Sequence, residues 1–95
     1  MNGKLEQYFE GEEIWIKYSS LFGDDWTNSE LQIKLLRICN DHLDIAKVIF
    51  YELGEGSIKW MNSKVPALDN LSPVECLNNE DLIKRLKVCL HRFPS

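Results

Sequence analysis

The tightest constraint on how this chain folds lies between Trp60 and Glu75, in the run Trp-Met-Asn-Ser-Lys-Val-Pro-Ala-Leu-Asp-Asn-Leu-Ser-Pro-Val-Glu. Ser72 and Glu75 stand three apart, the spacing at which each side chain bonds the other residue's backbone amide and starts a helix. Pro73 falls at the first helical position, where its missing N–H costs nothing and its fixed φ suits the turn. Upstream, Pro66-Ala67-Leu68 reads as a tight loop, and Asp69-Asn70 can turn because both residues tolerate left-handed backbone. Trp60 is the natural anchor of this loop. A buried indole covers about 150–250 Å², enough to hold Pro66 and Leu68 against the flanking helices. Trp60→Ala is therefore expected to cost about 3–5 kcal/mol.

Elsewhere the apolar residues repeat at threes and fours. Leu5, Tyr8 and Phe9 have helical spacing, and Gly11 interrupts them. Ile14, Tyr18, Leu21 and Phe22 fit one helical face between Glu12 and Phe22, ended by Gly23, although Ile14, Ile16 and Tyr18 also alternate as a strand would. With no second strand to pair, helix is the expectation. Asn28 or Ser29 caps the next segment, with Glu30 in its first turn. Leu31, Leu35, Ile38, His42, Ile45 and Ile49 form a stripe widened by Leu36, Leu43 and Ala46. It is either one helix to about Phe50 or two helices split at Asn40-Asp41, with Asp41 as the second cap. Gly54 and Gly56 end it, and a short helix over 57–62 directs Ile58, Trp60 and Met61 inward. Asn78 or Asn79 caps a last helix whose apolar face is Leu82, Ile83, Leu86, Cys89, Leu90 and Phe93. On it Lys84, Arg85, Lys87 and His91 are expected to face outward, and Pro94 ends it. The whole reads as an all-α fold, a single-domain bundle of about five to six short helices.

Ninety-five residues suffice for one core and no second one. No apolar run reaches the roughly 18 residues of a membrane span, and residues 1–6 lack the apolar centre of a signal peptide. Three widely spaced cysteines, Cys39, Cys76 and Cys89, favour free thiols and a reducing, cytoplasmic setting over disulfides or zinc. No phosphate-cradling glycine loop, zinc spacing or dinucleotide fingerprint is present, so no cofactor, metal or catalytic residue is expected. His42 sits in an apolar stripe and reads as structural. Cys89 and His91 are two apart on a helix and point in different directions. Charge is unevenly placed: residues 1–30 hold seven acids against two lysines, while 82–95 hold Lys84, Arg85, Lys87 and Arg92 and no acid. Such polarity either steers a partner or follows from helix dipoles, which favour cations near a C-terminus.

The segment from about Ala46 to Phe93 resembles the toxin-binding domain of the Xre/MbcA/ParS antitoxin family. The resemblance rests on Ala46 and Phe50, Trp60-Met61, Pro66-Ala67-Leu68, the helix Pro73-Val74-Glu75-Cys76-Leu77 and Leu90-His91-Arg92. It implies a helical, often dimeric antitoxin that neutralises a RES-type, NAD-consuming toxin by covering its active-site cleft. On this likeness 46–95 is the toxin-binding region, and 1–45 is an N-terminal helical region, a possible remnant of a helix-turn-helix part, the two making one domain. The toxin-binding surface would comprise Lys84, Lys87, His91, Arg92, Phe93, Pro94 and Ser95, with Trp60, Pro66, Leu68 and Pro73 as structural anchors. Phe93 is either the buried anchor of that interface or a lid on the protein's own core. A dimeric transcriptional regulator, making weak DNA contacts through 84–92, and a helical adaptor without a toxin are the alternatives.

Overall fold

Three helix starts are written in their caps. The computed structural model describes residues 5–24 and 26–93. At Ser29, Oγ accepts the Gln32 amide at 3.3 Å and Gln32 Oε1 accepts the Ser29 amide at 3.0 Å, a closed capping box. The same Oε1 also accepts the Thr27 amide at 2.9 Å, which draws the preceding loop onto a buried glutamine. Ser72 and Glu75 form the expected box, and Asn79 Oδ1 accepts the Leu82 amide at 2.8 Å. These caps open α2 (Glu30–Ile38), α5 (Pro73–Cys76) and α6 (Glu80–His91). The remaining α-helices among the described residues are α1 (Glu12–Ser19), α3 (Leu43–Leu53) and α4 (Ser57–Met61). Single 3-10 turns lie at Leu5–Tyr8, Gly54–Gly56 and Pro66–Leu68. The fold is all-α.

The long apolar stripe is divided into two helices, and the divider is backbone geometry. Asn40 and Asp41 both take left-handed φ, 55° and 64°. The Asp41 amide reaches back to the Leu36 carbonyl at 2.9 Å and the Asn40 amide to Arg37 at 3.0 Å, which satisfies carbonyls at the end of α2. Asp41 therefore belongs to the stop of α2 and does not cap α3. His42 holds that position, without a side-chain cap bond.

Burial corrects the expected face of α1. Trp15 is 2% exposed and Ser19 is also buried, whereas Ile14, Ile16 and Leu21 are exposed. The inward positions are 15, 18, 19 and 22, and Trp15 donates its indole N–H to Asp44 Oδ2 at 2.7 Å. Trp15, and not Trp60, is the buried tryptophan, since Trp60 is only half-buried. Its ring meets Phe93 edge-on at 5.4 Å. Leu68 and Pro73 are buried as anchors should be, but Pro66 is exposed on the outside of its turn. That turn is held by left-handed Asp69 and Asn70 and by a one-residue bridge in which the Val65 amide donates to Leu71 at 3.0 Å.

Helix α6 lies along the core, with Leu86 and Leu90 fully buried among Leu35, Ile45, Ile49 and Met61. All six residues from Arg85 to Leu90 are buried. Amphipathic spacing assigns one face of such a helix to water, yet Arg85 and Lys87 are covered because residues 5–12 run across that face. Lys84 and His91 do face outward. Among the described residues no helix is long and apolar enough to cross a membrane.

Candidate functional site

The acidic start and the basic end of the chain neutralise one another within the molecule. Arg85, its side chain 7% exposed, donates Nε and Nη2 to the two oxygens of Glu6 at 2.8 and 3.2 Å. Nη1 lies 3.2 Å from Asp69 Oδ2 and 3.5 Å from the Leu68 carbonyl. The Glu6 hydrogen bond raises the guanidinium pKa further against the opposing effect of burial. Lys87 Nζ donates to Glu12 Oε2 at 2.8 Å and lies 5.6 Å from the Trp15 ring and 5.8 Å from that of Phe9. Of the residues expected to meet a toxin, Lys87 is thus buried in an internal ion pair. The segment that covers it supplies that partner, Glu12.

The other expected contacts lie around the free end of α6. His91 is exposed, with its ring 4.2 Å from that of Tyr18, whose hydroxyl donates to the Leu90 carbonyl at 3.2 Å. The Arg92 guanidinium lies over Tyr8, 4.9 Å from the ring centroid. Phe93, half-buried, turns back onto Trp60 and packs against the protein's own core. Lys84 is exposed six residues or more before this cluster, and Pro94 and Ser95 lie outside the described residues.

Between the α6 end and the covering segment runs a groove of about 370 Å³. Tyr8 and Ile14 form its exposed apolar wall, Trp15 and Lys87 its buried side, and His91 and the Arg92 guanidinium its polar rim. Sequence reasoning found the exposed helix end but not the apolar wall. Ile14 is expected on one face with Tyr18, Leu21 and Phe22, and the clue to the true register is Trp15, whose spacing to 18, 19 and 22 is helical.

The thiols are poor candidates for chemistry. Burial pushes Cys39 up to about 12, and Cys76 and Cys89 to about 11 each, so all three are protonated at neutral pH. Cys89 is buried while His91 points to solvent, so this pair is not assembled as nucleophile and base. Among the described residues no group of three or more His, Cys, Asp or Glu side chains is placed to hold a metal ion. Compared with protein-family models, curated proteins and solved structures, the chain matches none.

Proposed function

We propose that this chain is a protein-binding module, the antitoxin of a bacterial toxin–antitoxin pair, and that its partner is a RES-type NAD-consuming toxin. The observation that carries the binding reading is the α6 end. His91 and Arg92 stand exposed there beside a groove with uncovered apolar side chains, Tyr8 at 53% and Ile14 at 40% exposure. Exposed aromatic and aliphatic surface next to arginine is the composition of an interface centre. The choice of toxin rests on the resemblance over 46–93, whose Pro66–Leu68 turn and Ser72–Pro73 helix start support it as a connected structural unit. In this reading the protein acts in the cytoplasm as a homodimer that blocks the toxin's cleft. Pairing of Arg85 with Glu6 and of Lys87 with Glu12 reduces the cation available for phosphate, which favours a protein partner over DNA.

Co-expression with the neighbouring reading frame, followed by pull-down and measurement of cellular NAD, tests the proposal. A stable complex with NAD restored is the expected result. A neighbour that neither binds the chain nor depletes NAD overturns it.

A further inference from the structure

Helices α1 and α3 run side by side in the same direction. Trp15 bonds Asp44 near their starts, and Phe22 meets Tyr51 seven residues further along each. Past Trp15 the rings follow one another to the surface. Tyr18 packs edge-on against Phe22 at 5.0 Å and Phe22 against Tyr51 at 4.7 Å, while His91 of α6 ends the row 4.2 Å from Tyr18. Tyr51 is 56% exposed, and Leu21, in the turn after α1, is 73% exposed.

Beside this row lies a carboxylate without a counterion. Glu52 follows Tyr51 in α3. Burial, and after it the Glu52 charge, raise the pKa of the Tyr18 phenol, which puts the carboxylate within electrostatic reach of that ring. Glu52 itself is half-buried, and its Oε2 has no hydrogen-bond partner among the described residues. None of the ion pairs among those residues includes it. Burial raises its pKa, and no cation offsets that rise. Lys47, one turn earlier in α3, lies against Gly23, and the Arg92 guanidinium lies over Tyr8.

An aromatic face attracts a cation, and an unpaired carboxylate binds one, so the two together select positive charge. Arginine meets both at once. Its guanidinium stacks flat on a ring while its N–H fork bonds a carboxylate, and it is more weakly hydrated than an ammonium, so it enters a half-buried site at lower cost. The chain's net charge of −4 favours the approach of a basic segment. Leu21 offers apolar contact to whatever flanks the arginine.

We infer that the row of rings at the ends of α1 and α3 docks a basic segment of a partner protein, one arginine of which lies on Tyr51 and pairs with Glu52. The inference goes beyond the antitoxin reading, since it needs neither the α6 groove nor a toxin.

The test is an amide-resolved NMR titration of the full chain with acetyl-Gly-Arg-Leu-Arg-Gly-amide and with the same peptide carrying citrulline, which keeps the shape of arginine and lacks its charge. The arginine peptide is expected to shift the amides around Leu21, Phe22, Tyr51 and Glu52, and the citrulline peptide to leave them in place. Glu52→Gln should weaken binding roughly tenfold, and Tyr51→Ala roughly threefold. Both variants should keep the wild-type circular dichroism, because Tyr51 is exposed and the Glu52 oxygen has no partner to lose. Equal shifts from the two peptides, shifts confined to another acidic surface, unchanged affinity in Glu52→Gln, or no shifts at all overturn the inference. So do shifts of the same amides on raising protein concentration alone, which would assign the surface to a second copy of the chain. The titration and the co-expression pull-down read different proposals, so either can fail with the other standing.

Discussion

The loop-and-helix unit over 62–77 and the seam between residues 5–15 and α6 are built at opposite ranges of the chain. In the first, the contacts that shape the turn and the helix start join close neighbours: Ser72 to Glu75 across three residues, and Lys64 to Glu75 across eleven, while Asp69 and the Leu68 carbonyl tie the unit to Arg85. In the second, Arg85 meets Glu6 across 79 residues and Lys87 meets Glu12 across 75. Local contacts close little chain entropy and are available as soon as the turn forms. The seam exists only once the whole bundle has assembled, because its charges lose their solvation and find partners in the same step. Disruption of the seam should therefore be felt by the entire fold, while damage to the loop unit should stay small.

Trp15→Ala is the strongest way to break that seam. It removes a buried ring packed on the core and its N–H bond to Asp44, and a loss of about 3–5 kcal/mol in urea unfolding is expected. Trp60, half-buried against Phe93, should lose about 2 kcal/mol on the same change, less than its place in the sequence suggests. A Trp60→Ala loss equal to that of Trp15→Ala would make the helix leading into the loop unit as strong an anchor as the seam.

Arg85→Ala breaks a two-pronged ion pair with Glu6 in a largely covered site and should cost about 3 kcal/mol. Paired with Glu6→Ala in a double-mutant cycle, it should show a coupling above about 1 kcal/mol. Additive effects would mean that the two ends of the chain do not hold each other. On the local side, Ser72→Ala loses a capping bond and should cost about 1 kcal/mol by thermal unfolding.

Two carboxylates sharpen the contrast through pH. The Ser72 backbone amide, with help from Lys64, holds Glu75 below its ordinary pKa. Its contribution is present above the unfolded-state pKa and is lost as pH falls through the lowered folded value. The stability gap between wild type and Glu75→Gln should therefore close in acid. Glu52 has the reverse sign. Burial raises its pKa, and its Oε2 is buried without a hydrogen-bond partner among the described residues. Its favourable contribution is complete below the unfolded pKa and is lost as pH rises through the folded one. Glu52→Gln should accordingly be more stable than wild type at neutral pH, and the advantage should vanish on acidification. The smallest effect belongs to Lys64→Ala, which breaks an exposed ion pair and should change stability by about 0.5 kcal/mol or less.

The same division explains which features were legible in advance. The Ser72 box, the Pro73 start, the Asp69-Asn70 turn and the Asn79 cap could be read because each is settled by residues within a few positions. The Ser29–Gln32 box was equally local, and its spacing was there to be seen beside the less decisive Glu30. Lys87 was misread as an outward residue because nothing near it in sequence announces Glu12, Phe9 or Trp15. That Phe93 packs edge-on against Trp60 is likewise a contact that no neighbouring residue announces. Of the candidate site, His91 and Arg92 were visible as an exposed polar helix end, whereas the groove they border was not.

The sequence alone determined an all-α chain, where most of its helices begin and end, and a polar division between an acidic head and a basic tail. Those properties follow from backbone hydrogen bonding and side-chain periodicity over a few turns. Tertiary structure alone decided which tryptophan is buried, that the head and tail pair with each other, and that Tyr8 and Ile14 stand open beside Arg92. A helix's periodicity tells which residues share a face, but the environment of that face depends on segments dozens of residues away. On α6 those segments cover Arg85 and Lys87, while Lys84 and, just past the helix end, Arg92 stay exposed.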